Sequence, residues 1–573
     1  MKISIKSKLK ISRQPYESRI RCWCNTIVAR TRQLLVQLFR EKIHVSWLIV
    51  TVCGGFLLGA GLAVLPKTGA FANTFWLVVA LVILILIFAS RLKIMLIFAI
   101  IAGMILGLWR GTLTRVDLNI YHDWIGQNVV VRGVVSEDPD FGSGGDMRMK
   151  LANPEIILQG DLAKLTDENT VNIDDYFTPL PGQIWVSALA KNTAVNRSDV
   201  VEISGKLKIG FGTFAATISY GNLSGVTKIA GSDPARELRD AFGDKLRGVI
   251  PTPAADLGMG ILAGQKTALP AELSAAFIAA SLTHIVVASG YNLTILVRFA
   301  RRLFAKISRF AALGFGGLLV FAFACVTGFS PSMTRASLVA GLSLLAWYYG
   351  RKFHPIALLT IVAAITVAID PTSIWGDAGW WMSFLSFAGV IILAPLIKSY
   401  FWGDKPDLRD KPTLSQRFRE KIPFSKLKSS RKKEKNFGEK SHPIRQIFLE
   451  TLSAQIMAAP IIALFMGQFS PYGLIANLLV LWLLPLAMLL TFIAGIAAFI
   501  LPHFLAQIIA WPATFLLNYV IGVSRWVADL PGASQTVNFG FWLTVGVFAI
   551  ILLAIIFLKW KTKYNFRDSN VID

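Results

Sequence analysis

Long apolar runs alternate with polar segments along the chain, and their lengths predict the architecture. Three runs precede residue 113, at about 46–65, 74–90 and 93–112, each near the roughly 20 residues that a bilayer requires. Further runs follow at about 284–297, 310–327, 332–350, 353–369, 380–397, 447–466, 472–500 and 537–558. With 472–500 taken as a hairpin broken at Pro485, the pattern predicts about 11 or 12 membrane segments, some of them broken or re-entrant.

The segment between the two apolar blocks has the pattern of β-strands. Four stretches are rich in β-branched residues and are bounded by Gly, Pro, Asp and Asn: NVVVRGVV (128–135), MRMKLANPEIIL (147–158), QIWVSALA (183–190) and VVEISGKLKI (200–209). Four or five strands within about 120 residues predict a small β-barrel or sandwich.

Composition agrees with a membrane protein. Of the 573 residues, 54% are hydrophobic and only 16% are charged, and the mean hydropathy is +0.56. A soluble domain has roughly 45–50% apolar and about 25% charged residues. The chain is therefore expected to be a polytopic α-helical membrane protein.

The charge distribution predicts how this protein is oriented. Residues 1–45 hold 11 Lys and Arg against 2 Asp and Glu, and residues 402–446 hold 14 against 6. The polar segment 116–250 has the opposite balance, with 13 against 18. The positive-inside rule therefore places both basic segments in the cytoplasm and the β segment outside. Basic tracts beside anionic lipid explain the net charge of +24 better than a nucleic-acid patch does.

One apolar run, SLTHIVVASGYNLTILVRFARR (281–302), is unusual in its polar content. It contains His284, Ser289, Gly290, Asn292 and Thr294 within eleven positions. Polar groups inside a membrane face a protein interior or a watery cavity, and Ser289-Gly290 allows a helix to unwind there. A pore or cavity lining is favoured, and polar helix packing is the alternative.

Three further patches interrupt apolar helices in the same way. In the first, Pro331 breaks the chain and Arg335 lies one turn into a span, where it either faces inward or snorkels to the surface. In the second, Asp377 begins a helix beside paired Trp residues that resemble an interfacial belt. The third, residues 448–485, contains Glu450, Gln455, Pro460, Asn477 and Pro485. Together they predict broken helices around a polar interior.

The order of these motifs resembles the competence domain of the ComEC family, the proposed inner-membrane channel for transforming DNA. The matching stretches are HIVVASGYN, SPSMTRA, DAGWWMSFLSF, ETLSAQIMAAP and ANLLVLWLLP. PGQIWVSA and ISGKLKIGFGTFAATISYGNLSGV resemble the family's extracytoplasmic oligonucleotide-binding-like (OB-like) domain. The resemblance covers roughly residues 46–560 and singles out His284, Ser289, Gly290, Pro331, Arg335, Asp377, Gly379, Ser383, Gln455, Pro460 and Asn477.

Two departures from the family pattern limit what is carried over. Asn292 stands where many members have a second His, so a titratable group is missing there. The chain also ends at Asp573 without an H-x-H-x-D-H cluster, as in a form lacking the C-terminal metallo-β-lactamase-like domain. We therefore expect no catalytic residue, no metal and no cofactor.

These observations divide the chain into seven parts. The expected parts are a basic cytoplasmic segment (1–45), three transmembrane helices (46–112), the OB-like domain (113–235), the competence domain in two parts (236–401 and 447–560) around a basic cytoplasmic loop (402–446), and a tail (561–573). The expected location is the bacterial inner membrane, with both termini in the cytoplasm. Expected partners are transported single-stranded DNA, anionic lipid, a separate motor or nuclease, and an extracytoplasmic DNA receptor.

Two other functions stay open. An intramembrane serine protease would use Ser289 with His284, yet five residues turn a regular helix by about 500°, which leaves the side chains roughly 140° apart. A small-solute transporter would also need a polar interior. The outer β domain is the feature that a transporter explains least.

Overall fold

The computed structural model describes residues 42–141, 146–161, 176–189, 195–228, 233–265, 269–286, 289–350, 354–403, 443–537, 539–564 and 566. Most of the basic segments 1–45 and 402–446, and most of the tail 561–573, lies outside these residues. The chain forms two compact units, one of residues up to Val116 with Val367–Pro371, and one of Asp117–Thr366 with the residues from Thr372 onward. The seven predicted parts stay a prediction.

The first unit is built on three helices: α1 (Val45–Leu62), α2 (Thr74–Ser90) and α3 (Met95–Leu118), with a 3₁₀ turn at Pro66–Ala72. Gly55 and Gly59 of α1 face Gly103 and Gly107 of α3, and a Cβ at any of the four would collide with the backbone of the other helix. Small residues at this spacing let membrane helices approach closely. The contacts advance in the same direction along both helices, so α1 and α3 are parallel.

The second unit begins with a closed five-stranded barrel of β1 (Asn128–Val135), β3 (Asp146–Leu158), β5 (Gln183–Leu189), β6 (Val200–Ile209) and β7 (Ala216–Thr227). The strand order is β1-β6-β7-β5-β3, and β3 returns to pair with β1. Only the β5–β7 pairing among these five is parallel. Two short strands, β2 (Asp140–Phe141) and β4 (Thr178–Pro179), pair with β3.

Alternation of apolar and polar positions produces the barrel. Buried side chains recur at every second position and fill its interior, including those of Val129, Val131, Ile184, Val186, Ile203 and Ile218. The four strands expected from the sequence are confirmed, and the sheet closes as a barrel rather than a sandwich. The fifth strand, β7, lies within the stretch that resembled the OB-like domain.

Helices make up the rest of the second unit. They are α4 (Pro234–Val249), α5 (Ala254–Ala263), α6 (Ala271–Ala279), α7 (Thr283–Val286), α8 (Gly290–Phe304), α9 (Arg309–Val326), α10 (Pro331–Tyr348), α11 (Pro355–Ile369, whose end belongs to the first unit), α12 (Thr372–Gly376), α13 (Ala378–Ala388), α14 (Ala394–Trp402), α15 (Pro443–Met466), α16 (Gly473–Val480), α17 (Leu484–Ile500), α18 (His503–Ala528) and α19 (Phe541–Thr562). A π-turn at Gly389–Leu393 joins α13 to α14, and two short strands, β8 (Gln468–Phe469) and β9 (Gln535–Thr536), pair with each other.

Among the described residues, seven helices are long and apolar enough to cross a membrane, and these fit a helical membrane protein. They are Val45–Leu62, Met95–Asp123, Arg309–Val326, Ala378–Trp402, Arg445–Met466, His503–Ala528 and Phe541–Thr562. The pair α16 and α17, bent by 52°, also passes when taken as one span. The shorter apolar helices α2, α5 and α11 fall below this length. The count of 11 or 12 segments stays a prediction.

The structure corrects two expectations near the C-terminus. Residues 472–500 are not a hairpin, because α16 and α17 meet at only 52°. The 26-residue helix α18 was not among the expected spans, and it continues through Pro512. Neighbouring helices allow proline inside membrane helices. The expected side of the membrane for the following helix is unchanged by these corrections. The expected hairpin contributes two crossings, and the bent pair taken as one span contributes two together with α18.

Candidate functional site

The Ser-Gly motif marks a real break between helices. Helix α7 ends at Val286, Ser289 has an extended backbone with φ −117° and ψ 164°, and α8 begins at Gly290. The predicted unwinding at Ser289-Gly290 is confirmed.

Side chains fix this break to a neighbouring helix. The Ser289 hydroxyl donates to Asn292 Oδ1 at 3.3 Å, and Asn292 Nδ2 donates to the Ile261 carbonyl of α5 at 2.9 Å. Asn292 is fully buried. Among the described residues, the Ser289 hydroxyl thus pairs with Asn292 and not with His284, whose side chain is exposed.

The backbone around the break is tightly packed. A Cβ at Gly260 of α5 would collide with the Val286 carbonyl, so this glycine lets the end of α7 lie against α5. A Cβ at Gly290 would lie 3.1 Å from the Ala336 Cβ, which brings the start of α8 against α10. The hydroxyl of Thr294 donates to the Gly290 carbonyl of its own helix at 2.8 Å, as a helical threonine commonly does.

The second cluster joins α10 to α13 through charge. Arg335 Nη1 lies 3.4 Å from Asp377 Oδ2, and Nη2 donates to the Gly379 carbonyl at 3.1 Å. Arg335 is 6% exposed, so the alternative that it snorkels to the surface is wrong. Because Ala336 contacts Gly290, this ion pair lies one residue along α10 from the Ser-Gly break.

The surroundings of Asp377 differ from an interfacial belt. Asp377 precedes α13 as its N-cap residue, as expected, but its side chain makes no capping hydrogen bond. Trp380 is 4% exposed, and its indole N–H donates to the Thr366 hydroxyl at 3.0 Å, so it packs inside the helical unit. Ser383, one turn further along, is exposed.

Gln455 and Asn477 belong to a third group, on α15 and α16. A Cβ at Gly473 would lie 2.9 Å from Gln455 Nε2 and 2.7 Å from the Ser281 Cβ, which places Gln455 close to the segment before His284. Asn477 is 3% exposed. Pro460 was expected to interrupt its helix, but α15 runs continuously from Pro443 to Met466. Pro331, in contrast, begins α10 at its first turn as predicted.

Several buried polar atoms in these helices have no protein partner. Among the described residues of α10, α15, α16 and α17 they are Arg335 Nε, Ser337 Oγ, Ser453 Oγ, Asn477 Oδ1 and Thr491 Oγ1. An unpaired buried polar group is costly, and ordered water commonly satisfies such atoms. The sequence pointed to Arg335 and Asn477, whereas the other three are single hydroxyls that no pattern distinguishes.

A group of ion pairs joining the barrel to the helices was not expected from the sequence. Arg197, between β5 and β6, donates to Asp233 Oδ2 at 2.7 Å and to the carbonyls of Val326 and Cys325 at 3.2 and 3.3 Å. Those carbonyls end α9, where a cation is favourable. Arg239 of α4 binds both carboxylate oxygens of Asp138, at 2.5 and 3.0 Å. The only signal in the sequence was the Asp233-Pro234 start of α4.

Asp233 has a second role at the start of α4. Its Oδ1 accepts from the Arg236 amide at 2.9 Å, which caps the helix. Burial alone would raise the pKa of the Asp233 carboxyl, but hydrogen bonds from Arg197 and from the Arg236 amide outweigh burial and leave that pKa below its usual value. The carboxylate form is therefore favoured in the folded state.

The fold and the polar helical interior define a polytopic membrane protein with a small barrel. The family model described as Competence protein matches residues 261–563, more than half of the chain, and the protein belongs to this family. The resemblance to the ComEC family is thereby confirmed, and membership indicates a role in DNA uptake during competence. No curated protein and no solved structure matches the chain.

Proposed function

We propose that the protein conducts a single strand of transforming DNA across the inner membrane during natural competence. The observation that carries this proposal is the set of buried polar side chains within apolar helices of the family-matched region. The Arg335–Asp377 pair and the unpartnered atoms of Ser453 and Asn477 belong to this set. Such groups are expensive in a membrane unless they meet water or a polar substrate.

The chemistry of the substrate supports this reading. A single strand carries one negative charge for each nucleotide, so its passage requires a hydrated route with hydroxyl, amide and occasional cationic contacts. His284, Ser289, Thr294, Arg335, Ser383, Gln455 and Asn477 supply groups of these types. Asn292 supports the route indirectly, because it ties the Ser-Gly break to α5.

We further propose that the barrel is OB-like and extracytoplasmic. Its five strands close in the order β1-β6-β7-β5-β3 with one parallel pairing, which resembles the Greek-key barrel of oligonucleotide-binding domains. Placement outside follows from the acidic balance of residues 116–250 against the basic segments 1–45 and 402–446. Both termini are then cytoplasmic.

The proposal assigns no catalysis to this chain. Conversion of incoming DNA to a single strand is assigned to another polypeptide. A motor that docks near the basic segment 402–446 is proposed as a second separate partner. The Ser289 hydroxyl bonds Asn292, which gives the protease alternative no structural support. Purified protein incubated with divalent metals and labelled DNA is expected to leave that DNA intact, and activity lost on Asp377→Asn would contradict this assignment.

A transformation assay on a clean deletion tests the proposal directly. The deletion strain is expected to accumulate DNA in a nuclease-protected state outside the cytoplasm and to yield no transformants, while complementation restores them. Transformants at the wild-type frequency in the deletion strain would overturn the proposed function. Loss of DNA binding at the cell surface, before any protection, would place the protein at an earlier step than transport.

A further inference from the structure

Three aromatic rings lie together on the outside of the barrel, where the turn between β6 and β7 meets β5. The ring centroid of Phe211 lies 5.5 Å from that of Trp185 and 5.5 Å from that of Phe214, and both pairs are edge-to-face. Phe211 is 55% exposed, although it is a large apolar side chain. We call Trp185, Phe211 and Phe214 the aromatic trio.

The turn that carries two of these rings is held in one conformation. A Cβ at Gly210 would collide with the Phe214 carbonyl, and the Phe214 amide donates to the Phe211 carbonyl at 3.1 Å. At the base of the turn, the Ala215 amide donates to the Gln183 carbonyl at 2.9 Å. Rings fixed in this way lose little conformational entropy when a ligand stacks on them.

Cationic side chains share the outer face with the trio. Strand pairing places Lys150, Trp185, Thr217 and Lys208 in one row across β3, β5, β7 and β6. Lys150 Nζ lies 5.9 Å from the centre of the Phe214 ring, but it is also paired with Glu137 at 2.7 Å. Lys208 is exposed. The face therefore offers stacking surfaces with little net positive charge.

The same turn touches the helical part at the start of α13. A Cβ at Gly212 would lie 3.2 Å from the Gly376 carbonyl, and Gly376 directly precedes Asp377. A ligand held on the trio thus lies beside the segment that bears the partner of Arg335.

We propose that the aromatic trio is a base-stacking platform that binds single-stranded nucleic acid and delivers it to the helices at Asp377. The choice of ligand rests on the proposed function. Stacked bases fit this surface because every base has a π-face, and exposed aromatic rings beside a few cations are how sequence-tolerant single-strand sites are built. Affinity then comes from stacking more than from charge, in keeping with the acidic balance of residues 116–250.

Binding of a fluorescent oligothymidylate to the full-length protein in lipid nanodiscs tests the platform, with empty nanodiscs as blank. Phe211→Leu keeps apolar volume and removes the ring, and we expect it to weaken binding about tenfold. The matched control is Tyr220→Leu, which removes another exposed aromatic ring from the same barrel and is expected to leave affinity within about twofold. Lys208→Gln is expected to reduce the salt slope by about 0.7, the value for one phosphate contact.

Several results would overturn the platform. Wild-type affinity in Phe211→Leu, or an equal loss in Tyr220→Leu, excludes the trio as the binding surface. A lipid anchor would give a different pattern of binding. Phe211→Leu would then bind normally, whereas Phe211→Ala would lose binding in nanodiscs but not in detergent. That pattern would show that the ring anchors the turn in lipid instead. A wild-type protein that binds no oligonucleotide removes the platform but leaves transport to be judged by the deletion strain. Binding that depends on Phe211 in a protein whose deletion does not affect transformation would refute the proposed function alone.

Discussion

Arg197 occupies the space that any side chain at position 328 would need. A Cβ at Gly328 would collide with the Arg197 guanidinium, and the Gly328 backbone has φ +69°. Arg197 belongs to the barrel and Gly328 follows α9, so the barrel is fastened to the end of a membrane helix through this arginine. The fastening also uses Asp233, at 2.7 Å from Arg197 Nε.

Gly328→Ala is expected to loosen the barrel from the helices. A left-handed backbone costs alanine about 1–2 kcal/mol, and displacement of Arg197 adds to that cost. The measurement is the thermal unfolding of purified protein in detergent, where the melting temperature should fall. Gly317→Ala in α9 is the control, because a Cβ there meets no atom within 4 Å. An equal shift for both variants would show that Arg197 does not depend on Gly328.

The lowered pKa of Asp233 predicts an acid-sensitive contribution to stability. Because the folded state favours the carboxylate, this contribution is fully present above the unfolded pKa of about 3.9 and is lost as pH falls through the lower folded pKa. Unfolding temperatures of wild type and Asp233→Asn should differ most at neutral pH and converge as the pH falls below about 4. A constant difference across this range would exclude the Arg197–Asp233 pair as the source.

The Arg335–Asp377 pair is expected to behave as a coupled unit. Arg335→Met leaves Asp377 without its cation, and Asp377→Asn leaves a buried guanidinium without a counter-charge, so each single change should destabilise more than the double change does. A coupling energy of roughly 0.5–3 kcal/mol is expected from a double-mutant cycle on unfolding free energies. Additive effects would show that the two side chains do not interact in the folded protein.

Substitutions at Ser289 separate a channel from a protease. In a channel, Ser289→Ala removes one hydroxyl and should leave partial DNA uptake, while the bulky Ser289→Leu should block it. Thr51→Ala in α1 is the control, because the Thr51 hydroxyl donates to the Trp47 carbonyl of its own helix and is not among the groups assigned to the route. Total loss of uptake in both Ser289 variants, together with loss of cleavage of a membrane substrate, would favour a nucleophilic serine.

Reporter fusions test the proposed orientation. A reporter fused near Asn192 is expected to be active only outside the cytoplasm, and one fused near Lys433 only inside, because the flanking charges differ in sign. Both positions lie outside the described residues. Activity of both fusions on one side of the membrane would contradict the orientation.

Local patterns predicted the elements of the fold well. The strands at 128–135 and 200–209 follow from alternation of β-branched and polar residues. The break at Ser289 follows from a serine that directly precedes a glycine within an apolar run. Proline was the weak signal, since Pro331 begins a helix whereas Pro460 and Pro512 lie inside one. A proline ends a helix or is tolerated in it according to its neighbours, and a single sequence does not contain that information.

Side-chain partners were predicted less well than positions. Arg335 and Asp377 were both singled out, but they are separated by 42 positions in the sequence, and nothing between them predicts that they pair. The link from Arg197 to the carbonyls of α9 is longer still, at 129 residues to Val326. Such contacts depend on how α9, α10 and α13 are arranged in space, and no local periodicity reports that arrangement.

The parallel packing of α1 and α3 has a consequence for the thickness of the membrane that the protein fits. Twenty helical residues span about 30 Å, the depth of a hydrocarbon core, and counted from Met95 they end at Thr114. Arg115 follows at once, and its guanidinium bonds the carbonyls of Ala63 and Val64 just beyond α1. With a hydrocarbon core that begins at Met95, the ends of both helices lie at one headgroup level, and a bilayer a few ångströms thicker would pull this arginine and its carbonyl partners into hydrocarbon together.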